Sequence, residues 1–174
     1  MSGEIILITG GVKSGKSAFA LTCGERETRE RAFIATAMAL DDEMKGKIEK
    51  HRRERGDRWK AFEEPKDIAG LVKKIAGVFD VVLVDCLTVW VSNLMTLYNM
   101  TADEMQREFD SLTGAVSTAA PRIILVTNEV GLGIMPADSL SRSYQHLLGA
   151  LNKQIARTAT SVYFLVSGVP LKMK

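Results

Sequence analysis

Residues Gly10, Gly11, Val12, Lys13, Ser14, Gly15, Lys16 and Ser17 spell a complete G-x-x-x-x-G-K-S loop. In such a loop closely spaced glycines let backbone N–H groups wrap a polyphosphate, the lysine reaches the outer phosphates, and the serine hydroxyl can hold Mg²⁺. The flanks fit: Glu4 to Thr9 reads as a strand and Ala18 onward as a helix, whose N-terminus adds unpaired donors and a favourable dipole. The chain is therefore expected to bind a nucleoside triphosphate.

Asp85 closes the apolar run Val81, Val82, Leu83, Val84, which puts a carboxylate at the carboxyl end of a buried strand, where open α/β sheets hold ligands. It can take Mg²⁺ directly or through water, or cap a following helix; the phosphate loop's need for a cation favours the metal. The segment from Asp41 to Trp59 carries the strongest basic patch, with Lys45, Lys47, Lys50, Arg52, Arg53 and Arg55 around a helical face of Leu40, Met44, Ile48 and His51. Helix geometry alone makes His51 the last member of a packing stripe. Electrostatics permits more: nearby cations disfavour imidazolium, keep a lone pair for attack on phosphorus, and attract a second phosphate-bearing group. His146, beside Arg142 and Lys153 on a polar helix side, reads as a solvated surface residue. Asn128 and Glu129, in the loop from Thr127 to Pro136, can contact substrate or act on a hydroxyl proton, and turn or capping chemistry explains them equally well.

These residues need a scaffold, and short apolar runs alternating with longer amphipathic ones supply its pattern. Strands are expected near Glu4 to Thr9, Ala32 to Thr36, Asp80 to Asp85, Arg122 to Thr127 and Ser161 to Ser167. Their interiors are continuously apolar, so helices should cover both faces of a mostly parallel sheet. Helical stripes run through Ile68, Leu71, Val72 and Ile75, through Met105, Phe109, Leu112 and Val116, and through Leu140, Tyr144, Leu147, Leu151 and Ile155. Glu63, Glu64 and Pro65 mark a break within one domain spanning 1–174.

Composition narrows the partners. With 46% hydrophobic and 25% charged residues the chain is globular in kind, and a formal charge of +2 offers no general attraction for nucleic acid. The N-terminus lacks a basic leader, and the apolar runs are far too short to cross a membrane, so a cytoplasmic protein is expected. Cys23 and Cys86 lack metal-ligand spacing and read as thiols without redox or metal roles.

Taken together the motifs resemble one family, the bifunctional adenosylcobinamide kinase and adenosylcobinamide-phosphate guanylyltransferase of cobalamin biosynthesis. The resemblance rests on I-T-G-G-V-K-S-G-K-S, on I-A-T-A-x-A-L-D-D-E-M from Ile34, on I-E-K-H-R-x-E-R before Trp59, on V-D-C-L-T-x-W-x-S-N-L from Val84, and on T-N-E-V-G-x-G-I-x-P from Thr127. It implies a three-layer P-loop NTPase-like (RecA-like) α/β domain. It further implies that His51 becomes covalently guanylylated; Lys16, which reaches the outer phosphates from the loop, is the other residue expected to be catalytic. Nucleotide contacts would come from Gly10 to Ser17, Ala35, Thr36, Ala37, Arg52, Arg53, Glu54, Arg55, Glu63 and Asp85, with Ser17 and Asp85 on Mg²⁺. ATP and GTP would be substrates, adenosylcobinamide and its phosphate the acceptors, and the assembly a homotrimer. Gly56 stands where members often carry proline and Asp85 where some carry glutamate; neither departure removes a reactive group.

Overall fold

The computed structural model describes residues 3–25, 30–38, 46 and 56–174. Its strands are β1 (Ile5–Gly10), β2 (Arg31–Ala35), β3 (Lys60–Glu63), β4 (Val81–Asp85), β5 (Arg122–Val126), β6 (Ser161–Val166) and β7 (Val169–Lys172). The helices are α1 (Lys16–Gly24), α2 (Ile68–Ile75), α3 (Leu87–Thr96), α4 (Ala102–Thr118) and α5 (Ser139–Thr158). All strands join one sheet of seven in the order β3-β2-β4-β5-β1-β6-β7. Every pairing is parallel except the terminal hairpin of β6 with β7. The carboxyl ends of β2, β4, β5 and β1 therefore lie along one edge.

Period-two alternation sorts the strand side chains onto two faces. Ile5, Leu7, Ile34, Val82, Val84, Ile123 and Leu125 point to a core closed by α2, α3, α4 and α5. Ile6, Ile8, Phe33, Leu83, Ile124 and Val126 point to a smaller core containing Ala20 and Cys23 of α1, together with Trp59. Both faces are covered, as the continuous apolar runs require. Trp59 sits 5% exposed, edge-on to Phe33, and its indole N–H donates to Glu25 Oε1 at 3.1 Å.

The five expected strands and three helical stripes are present, with ends shifted by about a residue. Leu140, counted in the last stripe, is 59% exposed in the first turn of α5, beyond the reach of the core. Strands β3 and β7 and helix α3 come in addition to these elements. Capping follows local chemistry: Asp67 accepts from Gly70 N–H at the start of α2, Thr101 and Glu104 form a reciprocal capping box on α4, and Asp138 accepts from Ser141 N–H on α5. By contrast α1 follows Gly15 with no side-chain cap, which leaves its first N–H groups available to an anion.

Candidate functional site: a phosphate loop at the carboxyl edge of the sheet

The phosphate loop takes its shape from backbone angles that a side chain would oppose. Gly10 has φ +147, and a Cβ there would lie 2.5 Å from Leu165 O. Gly15 has φ +94, in the left-handed region that glycine enters freely. Between them Lys13 also has positive φ, and Ser14 N–H donates to Gly11 O at 3.3 Å. The Ser14 hydroxyl is buried and has no hydrogen-bond partner among the described residues.

Lys16 starts α1 and is only 8% exposed, with Nζ donating to Gly11 O at 2.5 Å. Burial holds its pKa below the ordinary 10.5, an effect opposed by Cys86 and Asp85. Asp85 is thus close enough for its charge to act on the loop lysine, which brings together two residues 69 positions apart in the chain. Ser17 follows on the same helical turn, half-buried. A hydroxyl and a carboxylate are hard oxygen donors suited to Mg²⁺, which keeps several waters and phosphate oxygens and needs few protein ligands. Accordingly, the lack of any cluster of three or more His, Cys, Asp or Glu among the described residues does not argue against such a site.

Ala35 ends β2 beside β4, and Thr36 and Ala37 follow it. Thr36 is fully buried, and its hydroxyl donates to Cys86 O at 2.8 Å while accepting from Cys86 N–H at 2.9 Å. Its own carbonyl accepts from Asn93 Nδ2 at 2.8 Å, and its N–H donates to Asp85 O at 3.3 Å. All of Thr36's polar groups are therefore spent on holding the ends of β2, β4 and α3 together. Cys86 precedes α3, and desolvation, with help from the Asp85 charge, pushes its thiol up to about 11. Glu63 lies exposed at the far end of β3. His51 and Arg52, Arg53, Glu54 and Arg55 lie outside the described residues. His146 is exposed on α5, as expected.

The loop after β5 borders the phosphate loop, and the sequence did not foretell how it is held. Thr127, fully buried, donates from Oγ1 to Asn152 Oδ1 at 2.8 Å, and Asn152 Nδ2 donates to Asn128 O at 2.9 Å. Asn128 N–H donates to Thr88 Oγ1 at 2.7 Å, and Glu129 N–H donates to Gly10 O at 3.1 Å. Tyr144 OH donates to Thr88 O at 3.1 Å, and burial pushes its pKa up to about 12. The available signal was Asn152 itself: it follows Leu148 by four positions and precedes Ile155 by three, so a polar group falls on an apolar stripe. Further along the same loop Leu132, Ile134 and Met135 project into solvent.

The sheet and its glycine-rich loop define a nucleotide-binding P-loop protein of the α/β class. The RadB recombinase has the same fold, with a TM-score of 0.51 over 94% of this chain and 74% of that one, at 15% sequence identity. The family model described as cobinamide kinase / cobinamide phosphate guanyltransferase matches residues 6–173, and the chain belongs to that family. The bifunctional adenosylcobalamin biosynthesis protein CobP of Pseudomonas aeruginosa is 39% identical, covering 97% of this chain and 96% of its own. The corresponding protein CobU of Escherichia coli K12 is 35% identical, covering 98% and 99%.

Proposed function

We propose that this chain phosphorylates adenosylcobinamide with ATP or GTP and then transfers GMP from GTP to the resulting phosphate, giving adenosylcobinamide-GDP and pyrophosphate. The observation that carries this reading is the family match over 6–173, on a chain whose loop lysine lies beside Gly11 and within the field of Asp85. In the first half-reaction the loop from Gly10 to Ser17 holds the triphosphate and Lys16 neutralises its outer phosphates. Ser17 and Asp85 would hold Mg²⁺, which when bound neutralises charge across the phosphates.

In the second half-reaction His51 attacks the α-phosphorus of GTP, with Arg52, Arg53, Glu54, Arg55, Glu63 and the backbone of Ala35 to Ala37 around the nucleotide. A nitrogen–phosphorus bond forms, the bond to pyrophosphate breaks, and the imidazole proton is released. A phosphate oxygen of the corrinoid then displaces histidine. Splitting the transfer means that pyrophosphate and the bulky acceptor need not share one site at one time. The remaining elements of the reading are a single unit over 1–174, a homotrimer and a cytoplasmic location. No described helix is long and apolar enough to cross a membrane. A solution mass three times that of the 19.1 kDa chain would support the trimer.

The test of the nucleotidyl half is incubation with GTP labelled at the α-phosphate, followed by denaturation. Protein-bound label that is acid-labile, base-stable and absent from His51→Ala is expected. Folded wild-type protein that makes adenosylcobinamide phosphate yet takes up no label would leave a simple kinase in its place.

A further inference from the structure

The kinase half-reaction needs a group to receive the acceptor's hydroxyl proton, and sheet order limits the choice. Neighbouring strands lie ~4.8 Å apart, so β5 runs about 5 Å from the phosphate-loop strand β1, β4 about 10 Å away and β3 about 19 Å away. A carboxylate following β5 is thus beside the transferring phosphate, whereas Glu63 at the end of β3 is several strands removed. Glu129 is the carboxylate that follows β5, and its N–H donates to the first loop carbonyl, Gly10 O, at 3.1 Å. Its Oε1 accepts from Gly131 N–H at 2.9 Å, so the backbone orients the carboxylate. The loop that carries it is fixed from behind by Asn152, and Gln145 Nε2 donates to Val130 O at 2.8 Å.

Among the described residues, other carboxylates near this end already have work. Glu64 Oε1 accepts from Lys66 and Asp67 N–H, Asp67 caps α2, and Asp138 caps α5. The charge of Asp85 already acts on the loop lysine. We propose that Glu129 is the general base of the phosphorylation step, a reading that rests on the kinase activity proposed above. The O–H bond of the acceptor's hydroxyl breaks and its proton passes to the carboxylate. The oxygen bonds to the γ-phosphorus as the bond from that phosphorus to the β–γ bridging oxygen breaks, and the electron pair leaves on the nucleoside diphosphate.

The experiment is steady-state phosphorylation of adenosylcobinamide by wild type, E129Q and E129D, with kcat and the nucleotide KM measured separately. Gln keeps the shape and an oxygen for Gly131 N–H but is a far weaker proton acceptor. E129Q is expected to lose roughly 10²–10⁴ in kcat, with the nucleotide KM within about twofold and partial recovery in E129D. Wild-type kcat in E129Q overturns the assignment. So does a loss of kcat accompanied by an equal loss of nucleotide affinity, which would mark Glu129 as a brace for the loop. Wild-type protein that does not phosphorylate the corrinoid removes the underlying kinase reading, and this proposal with it.

Discussion

At the scale of single residues, Lys16 carries the clearest electrostatic tension. The residue is 8% exposed, and desolvation is the largest influence on its ammonium, ahead of the opposing effects of Cys86 and Asp85. A lysine whose folded pKa is below its unfolded one costs stability wherever it is charged in the folded state. The unfolded chain binds more protons between the two values, so stability rises with pH from the folded pKa toward 10.5. A bound triphosphate supplies the negative charge that the loop lacks. Lys16→Met is therefore expected to melt above wild type at pH 7 without nucleotide, by a margin that narrows as pH approaches 10.5. The same variant should lose the rise in melting temperature that GTP gives wild type. Thermal melts across pH, with and without GTP, read both effects; a variant that melts below wild type at neutral pH would show that the lysine's bonds to the loop outweigh its desolvation.

At the scale of elements, the site is held by polar contacts between strand ends and helices. The Thr36 hydroxyl serves both the N–H and the carbonyl of Cys86. Thr36→Val keeps the shape and leaves two backbone groups without that partner, so a loss of about 1–3 kcal/mol is expected from chemical unfolding. Thr36→Ser, which keeps the hydroxyl, should cost less; equal losses would mean that packing of the methyl dominates. This bridge also shows why part of the structure was legible in the sequence and part was not. The phosphate loop is a contiguous spacing, and β1, β4 and β5 announce themselves as apolar runs because both of their faces are covered. Strand β3 (Lys60–Glu63) is mostly exposed, and β7 has no buried residue and contains Pro170, so pairing with a neighbour rather than burial defines them. Helix α3 begins after Cys86 without a side-chain cap and opens Leu-Thr-Val-Trp-Val, which carries no start signal and favours strand by propensity. The Thr127–Asn152–Asn128–Thr88 network spans three segments, and only the fold assembles it.

At the scale of the molecule, the carboxy-terminal hairpin joins the phosphate loop to the far end of α5. Its turn places Ser167 and Gly168 at positive φ, and Gly168 N–H donates to Ser14 O at 2.9 Å. A Cβ on Gly15 would come within 3.3 Å of Gly168 Cα, so hairpin and loop are in close contact. At the other end, Lys174 Nζ donates to Ala156 O, Arg157 O and Ala159 O at 3.3, 3.2 and 2.6 Å, serving carbonyls that α5 leaves unpaired and complementing its dipole. The two contacts make separable predictions. Lys174→Ala loses only the bonds at the helix end, so it should lower the melting temperature and leave the nucleotide KM alone. Ending the chain after Ser167 removes β7, exposes the edge of β6, and also deletes the N–H that holds the Ser14 carbonyl. One such hydrogen bond is worth about 0.5–1.5 kcal/mol, so a rise of up to roughly tenfold in nucleotide KM should accompany a lower melting temperature. If the shortened chain melts lower yet binds nucleotide as wild type does, the hairpin supports the sheet alone and the loop keeps its shape through Gly10, Gly15 and Lys16.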